Sequence, residues 1–84
     1  MSLQPADTYA AFLLLHILHY DAAGLEPQTS ILLLLTELDE ARKTAVLGEL
    51  VEIGAIRSDN GKWRITDYGE KINKDFSARS FHGD

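Results

Sequence analysis

The apolar positions of this chain recur at helical spacing in most stretches and alternate at strand spacing in one. From Ala6 through YAAFLLLHILHY, residues 9–20, the residues Ala6, Ala10, Leu13, Leu14, Ile17 and Leu18 fall on one helical face, and Pro5 suits the first turn. The opposite stripe holds Thr8, Tyr9, Phe12, His16 and His19, with Leu15 at its border. Gly24 and Pro27 punctuate the loop that follows, and Thr29 or Ser30 is placed to cap a second helix, ILLLLTEL, over residues 31–38. A third helix is predicted from Asp39 or Glu40 through ARKTAVLGELVEI, with Leu47, Leu50 and Val51 as its core side and Gly54 as its stop.

The alternating stretch is IRSDNGKWRI, residues 56–65. Asn60-Gly61 tolerates the positive φ that both central positions of a type I′ turn require, so the segment is predicted as a hairpin. That turn sets the register: Asp59 opposite Lys62, Ser58 opposite Trp63, Arg57 opposite Arg64 and Ile56 opposite Ile65. Ile56, Trp63 and Ile65 then share one face and are expected against the third helix. Arg57 and Arg64 meet on the other face, where like charges cost stability. Either a carboxylate such as Asp59, Glu52 or Asp67 neutralises them, or an anionic partner does. Thr66 is the predicted N-cap of a last helix whose first turn holds Asp67 and Glu70, and whose buried side carries Tyr68, Ile72 and Phe76.

Eighty-four residues make one domain, with an ordered core expected over residues 5–76 and a frayed tail over 77–84. The chain has no cysteine, which excludes disulfides and thiolate metal sites. Residues 9–20 are too short to span a bilayer, and no basic residue precedes them as in a signal peptide. No membrane association is expected, and a cytoplasmic location is. Net charge is −5, unevenly spread: all eight basic residues follow Ala41, while residues 1–41 hold six acidic ones. Any nucleic-acid surface must therefore be local.

The order helix, helix, helix, hairpin, helix is a mainly α fold with a small β-hairpin. The stretch LGELVEIGAIRSDNGKWRITDYGEKI, with Leu47, Leu50, Gly54, Ile56, Ile65, Thr66 and Gly69, resembles the second half of small bacterial and archaeal winged helix-turn-helix domains. The resemblance implies a three-helix core, a two-stranded wing and a C-terminal helix. It also implies a small dimeric transcriptional regulator that binds duplex DNA. Arg57, Lys62 and Arg64 on the wing are the phosphate candidates, and Arg42, Lys43 and Thr44 at the start of the third helix would join the same surface. Two departures are visible. Lys43 stands where the family buries an aliphatic residue, and the positions that face DNA hold Ala41, Arg42, Thr44, Ala45 and Val46, a thin surface for reading bases.

Two further features bear on partners. His16 and His19 are one helical turn apart and would need a third ligand such as His82 to hold a metal, so no metal or cofactor is expected. Tyr9, Phe12, Leu15, His16 and His19 lie off the predicted core side of the first helix and are the candidate interface. The five apolar residues 31–35 sweep round a whole turn, more than so small a domain is expected to bury. A second copy of the chain, or another protein, is the expected partner. No enzyme is expected. GAIRSDNGK, residues 54–62, has six residues rather than four between its glycines and no Ser or Thr after its lysine, so it is no phosphate loop. The function left open beside DNA binding is a protein-interaction module of the same fold, working within a larger assembly and without nucleic acid.

Overall fold

A computed structural model describes residues 5–81, with side chains described for residues 5–76. The elements run α1 (Thr8–Ala22), α2 (Thr29–Thr36), α3 (Glu40–Glu52), β1 (Ile56–Asp59), β2 (Lys62–Ile65) and α4 (Asp67–Phe81). No helix among the described residues is long and apolar enough to cross a membrane.

Caps explain where the helices begin. α1 starts after Asp7 rather than at Pro5, because the Asp7 carboxylate accepts a bond from the Ala10 amide (3.2 Å) and satisfies an otherwise orphaned donor. Asp39 does the same for α3 through the Arg42 amide (2.7 Å). α2 departs from expectation. It begins at Thr29, two residues earlier than predicted, and Gln28 in the cap position makes no side-chain bond, so neither Thr29 nor Ser30 serves as a cap. At its far end the Thr36 hydroxyl donates to the Leu33 carbonyl (2.6 Å). α4 continues to Phe81, five residues into the segment expected as a tail; residues 82–84 lie outside the described residues.

The hairpin has the expected register, Ile56↔Ile65, Arg57↔Arg64, Ser58↔Trp63 and Asp59↔Lys62. Asn60 (φ 53°) and Gly61 (φ 77°) supply its turn in the left-handed conformation. Its base is tied to both neighbouring helices. The Thr66 amide donates to the Ala55 carbonyl (3.0 Å), and the Thr66 hydroxyl donates to the Gly54 carbonyl (2.5 Å) while accepting from the Gly69 amide (3.1 Å). Gly69 is buried there, and a Cβ on it would overlap the Ala55 carbonyl oxygen and crowd the Ile65 side chain.

α1 is the central element and packs against α2, α3, α4 and β2. The core is built from Ala10, Ala11, Leu13 and Leu15 of α1, Leu38, Val46 and Leu50, Ala55 and Ile56, and Ile72 and Phe76 of α4. Three expectations are corrected by this arrangement. Leu15, expected at the interface, has no accessible surface, and Phe12 is half-buried with its ring edge-on to Phe76 at 6.2 Å. The reason is that α1 has neighbours on several sides, so both of its stripes are covered. On α3, Val46 is buried and Val51 exposed, one helical position away from the expected phase. Trp63 is 40% exposed, because β2 packs on α1 and the inner face of so short a hairpin reaches the core only at its Ile56–Ile65 end. The Ser58–Trp63 pair stands about 7 Å further out.

Candidate functional site

The hairpin carries the arginine pair side by side, as its register requires. Arg64 has carboxylates on two sides: Asp59 Oδ2 lies 3.9 Å from its Nε, and Asp21 Oδ2 from the last turn of α1 lies 3.9 Å from its Nη1. These are long, partly exposed contacts, each worth no more than about 1 kcal/mol, yet they answer the repulsion with charges from the chain itself. Glu52 and Asp67, the other candidates, do not pair with either arginine. Arg57 and Lys62 are exposed and have no acidic partner among the described residues.

At the start of α3 the cations are committed. The Arg42 guanidinium grips Asp7 with two bonds, Nε to Oδ2 at 2.5 Å and Nη2 to Oδ1 at 2.9 Å, and lies over the Tyr9 ring at 5.8 Å. That side-chain pairing holds the Asp7 carboxyl below, and the Arg42 guanidinium above, their usual ranges. One residue earlier, the Ala6 amide donates to Glu49 (2.5 Å), so residues 6–7 are strapped across α3. Lys43 pairs with Glu40 at 2.7 Å and is only a quarter exposed. Thr44 is open to solvent, but of the exposed neighbours Glu40, Ala41, Ala45 and Gly48 none offers a long hydrogen-bond donor; Val46, expected to face DNA, is in the core.

The two histidines serve different surroundings rather than one ligand. His19 Nδ1 sits 2.8 Å from both oxygens of Glu70 on α4. His16 lies between the Phe12 ring (5.5 Å) and the Tyr20 ring (4.5 Å), tilted to both, and among the described residues neither of its ring nitrogens has a hydrogen-bond partner or appreciable exposure. Burial, reinforced by His19, holds its imidazole below the ordinary histidine range. The contacts Phe12–Phe76 and His19–Glu70 bracket His16 on α1 and Asn73 on α4, and Asn73, almost fully buried, also leaves its Oδ1 unpaired. Among the described residues no three His, Asp or Glu side chains are placed to hold a metal. His82 lies outside the described residues.

The candidate interface on α1 therefore does not form one patch: Tyr9 is 48% exposed beside Arg42, Phe12 and His16 are largely covered, Leu15 is internal and His19 is engaged with Glu70. The exposed apolar face lies on α2. This helix has no charged residue and no fully buried one. Ile31 and Leu35, four residues apart, rest on the core, which turns Leu32, Leu33 and Leu34 outward, with Leu33 61% exposed. The excess of leucine is visible in the sequence. Which leucines face outward depends on where α1 touches the helix. No protein-family model matches the chain, and neither a curated protein nor a solved structure matches it.

Proposed function

We propose that this chain is a winged-helix protein-interaction module whose docking face is the leucine surface of α2. The observation that carries the reading is Leu33, a large apolar side chain 61% exposed at the middle of an uncharged helix. Contiguous apolar surface of this kind marks a protein contact site. The winged-helix description rests on the element order and on the hairpin that follows α3 directly.

Binding of duplex DNA by a small dimeric regulator is the second reading, and Arg57 and Lys62 favour it, being exposed cations without acidic partners. Three other members of the same surface count against it, since Arg42 is gripped by Asp7, Lys43 is paired with Glu40, and Arg64 has the carboxylates of Asp21 and Asp59 nearby at 3.9 Å. The α3 face that would enter a groove is made of Ala41, Thr44, Ala45 and Gly48. Two cations give phosphate contact without base reading.

The test has two arms. Leu33→Asp is expected to leave the thermal melt nearly unchanged, within about 0.5 kcal/mol, because a docking residue is not a folding residue. A random-sequence duplex is expected not to bind in fluorescence anisotropy at about 20 mM salt, where screening is weak enough for electrostatic binding to show. Unfolding of Leu33→Asp would make α2 part of the core. Saturable duplex binding that weakens in Arg57→Ala would restore the DNA reading.

A further inference from the structure

The outward stripe of α2 reads the same in both directions. Thr29, Leu32, Leu33 and Thr36 stand at the spacing i, i+3, i+4, i+7, and reversing the helix about the point between Leu32 and Leu33 exchanges Thr29 with Thr36 and one leucine with the other. All four are exposed. A two-fold contact requires a surface to fit a reversed copy of itself, and a charged residue near the axis would meet its own charge. This stripe meets both conditions. The Thr36 hydroxyl is already satisfied by the Leu33 carbonyl, so its burial leaves no donor unpaired.

The two ends of the helix add a directional term. At the N-terminus Gln28 gives no side-chain cap, and the first turn holds no acidic residue, so the positive end of the helix dipole is uncompensated there. At the C-terminus Glu37 occupies the cap position and the last turn holds no basic residue, so a carboxylate sits at the negative end of its own helix. Both placements are unfavourable within one chain. Reversal about the same point carries residue 37 onto residue 28, so an antiparallel copy brings each Glu37 to the uncapped amides of the other helix. Glu26 and Asp39 fall further out, at the solvated rim, where screening weakens their repulsion.

We infer that α2 is the interface of a symmetric homodimer, packed antiparallel against α2 of a second copy about an axis between Leu32 and Leu33, with Glu37 of each copy capping the other's helix. The inference rests on the reading of α2 as a docking face and names its occupant. An eight-residue helix is about 12 Å long, so this contact alone is smaller than a standard interface. The dimer is accordingly weak and concentration-dependent.

Sedimentation equilibrium of the full chain at up to about 0.5 mM tests it, with dimer expected to accumulate over that range. Leu33→Asp should weaken association about tenfold or more, and Glu37→Lys should weaken it about threefold or more by placing a cation at the positive helix end. The absence of native cysteine allows a check of direction. Leu33→Cys lies next to the axis and should oxidise to a covalent dimer. Thr29→Cys and Thr36→Cys should each fail alone, because the two copies of either position are offset by about 10 Å along the helices, but should cross-link when mixed. A wild-type monomer at the highest concentration overturns the dimer, as does a Thr29→Cys variant that cross-links alone as readily as the mixture. If Leu33→Asp meanwhile stays folded and no duplex binds, the docking face survives and only its occupant is wrong. An unfolded Leu33→Asp removes both.

Discussion

Leu15 in α1 and Leu33 in α2 are the same side chain on neighbouring helices, yet the first has no accessible surface and the second keeps 61% of its own. Composition does not separate them, since α2 is apolar at five consecutive positions. The number of neighbours does. α1 is flanked by α2, α3, α4 and β2, so residues on opposite sides of it are covered, whereas α2 leans chiefly on α1 and commits only Ile31 and Leu35. Burial is thus a property of position in the fold, and leucines in excess of the available neighbours become surface.

The largest expected effect tests that difference directly. Leu15→Ala should cost about 2–5 kcal/mol, because it leaves a cavity in a packed core, while Leu33→Ala should change stability by less than about 0.5 kcal/mol. Chemical denaturation of the two variants measures both, and similar costs would break the contrast. Next come the helix starts, one capped and one not. Asp7→Ala should destabilise by about 0.5–2 kcal/mol, since it removes the α1 cap, and loses the Arg42 pair as well. Gln28→Asp should stabilise α2 by up to about 1 kcal/mol in the monomer. The same change sets a carboxylate where the inferred dimer brings Glu37, so it should weaken self-association in sedimentation while raising the melting temperature.

A smaller effect concerns the polar atoms that α1 buries and α2 does not. Burial, and then the charge of His19, lower the His16 pKa below the ordinary value near 6.5, which favours the neutral imidazole in the folded chain. As pH falls through that value the unfolded chain takes up the proton first, so stability present above it is lost, until the lower folded-state pKa is passed. His16→Phe, placed between Phe12 and Tyr20, should flatten the melting temperature between about pH 7 and pH 5 relative to the wild type. An unchanged slope would mean that the buried imidazole is not what titrates. The smallest effect separates the arginines. Arg57→Ala should be neutral or stabilising by a few tenths of a kcal/mol as it relieves like-charge contact, whereas Arg64→Ala should cost up to about 0.5 kcal/mol by leaving Asp21 and Asp59 without it. Paired thermal melts at low salt resolve the difference in sign.

What the sequence discloses follows the range of the interaction involved. The hairpin register and the cap at Thr66 are legible because each depends on residues within a few positions, an Asn-Gly turn or a hydroxyl and an amide three residues on, whereas the expected cap at Thr29 or Ser30 fails because α2 begins earlier than its apolar run. Burial of Leu15, the rotated phase of α3 and the exposure of Trp63 are not, because they depend on which elements surround a helix or strand. The candidate site divides the same way. The repulsion between Arg57 and Arg64 can be read from the turn, but its relief by Asp21 cannot, since 43 residues separate Asp21 from Arg64. Arg42 reads as a free cation until Asp7, 35 residues earlier, closes on it. The surplus of leucine in residues 31–35 is legible as an excess, and the palindrome on its outward stripe becomes visible only once Ile31 and Leu35 are known to face the core.

Thr66 and Gly69 have a consequence for how the molecule opens. Thr66 bonds backward to Gly54 and Ala55 and forward to Gly69 and Glu70, while Gly69 lets the start of α4 touch the Ala55 carbonyl. No fluctuation can splay the hairpin at its base without breaking the first turn of α4, and none can fray that turn without releasing the hairpin. The turn after α3, the hairpin base and the start of α4 are therefore expected to open together, and the amides of Thr66, Gly69 and Glu70, which make these bonds, should show similar protection against hydrogen exchange. α2, held to the core by Ile31 and Leu35, should open separately and at lower cost.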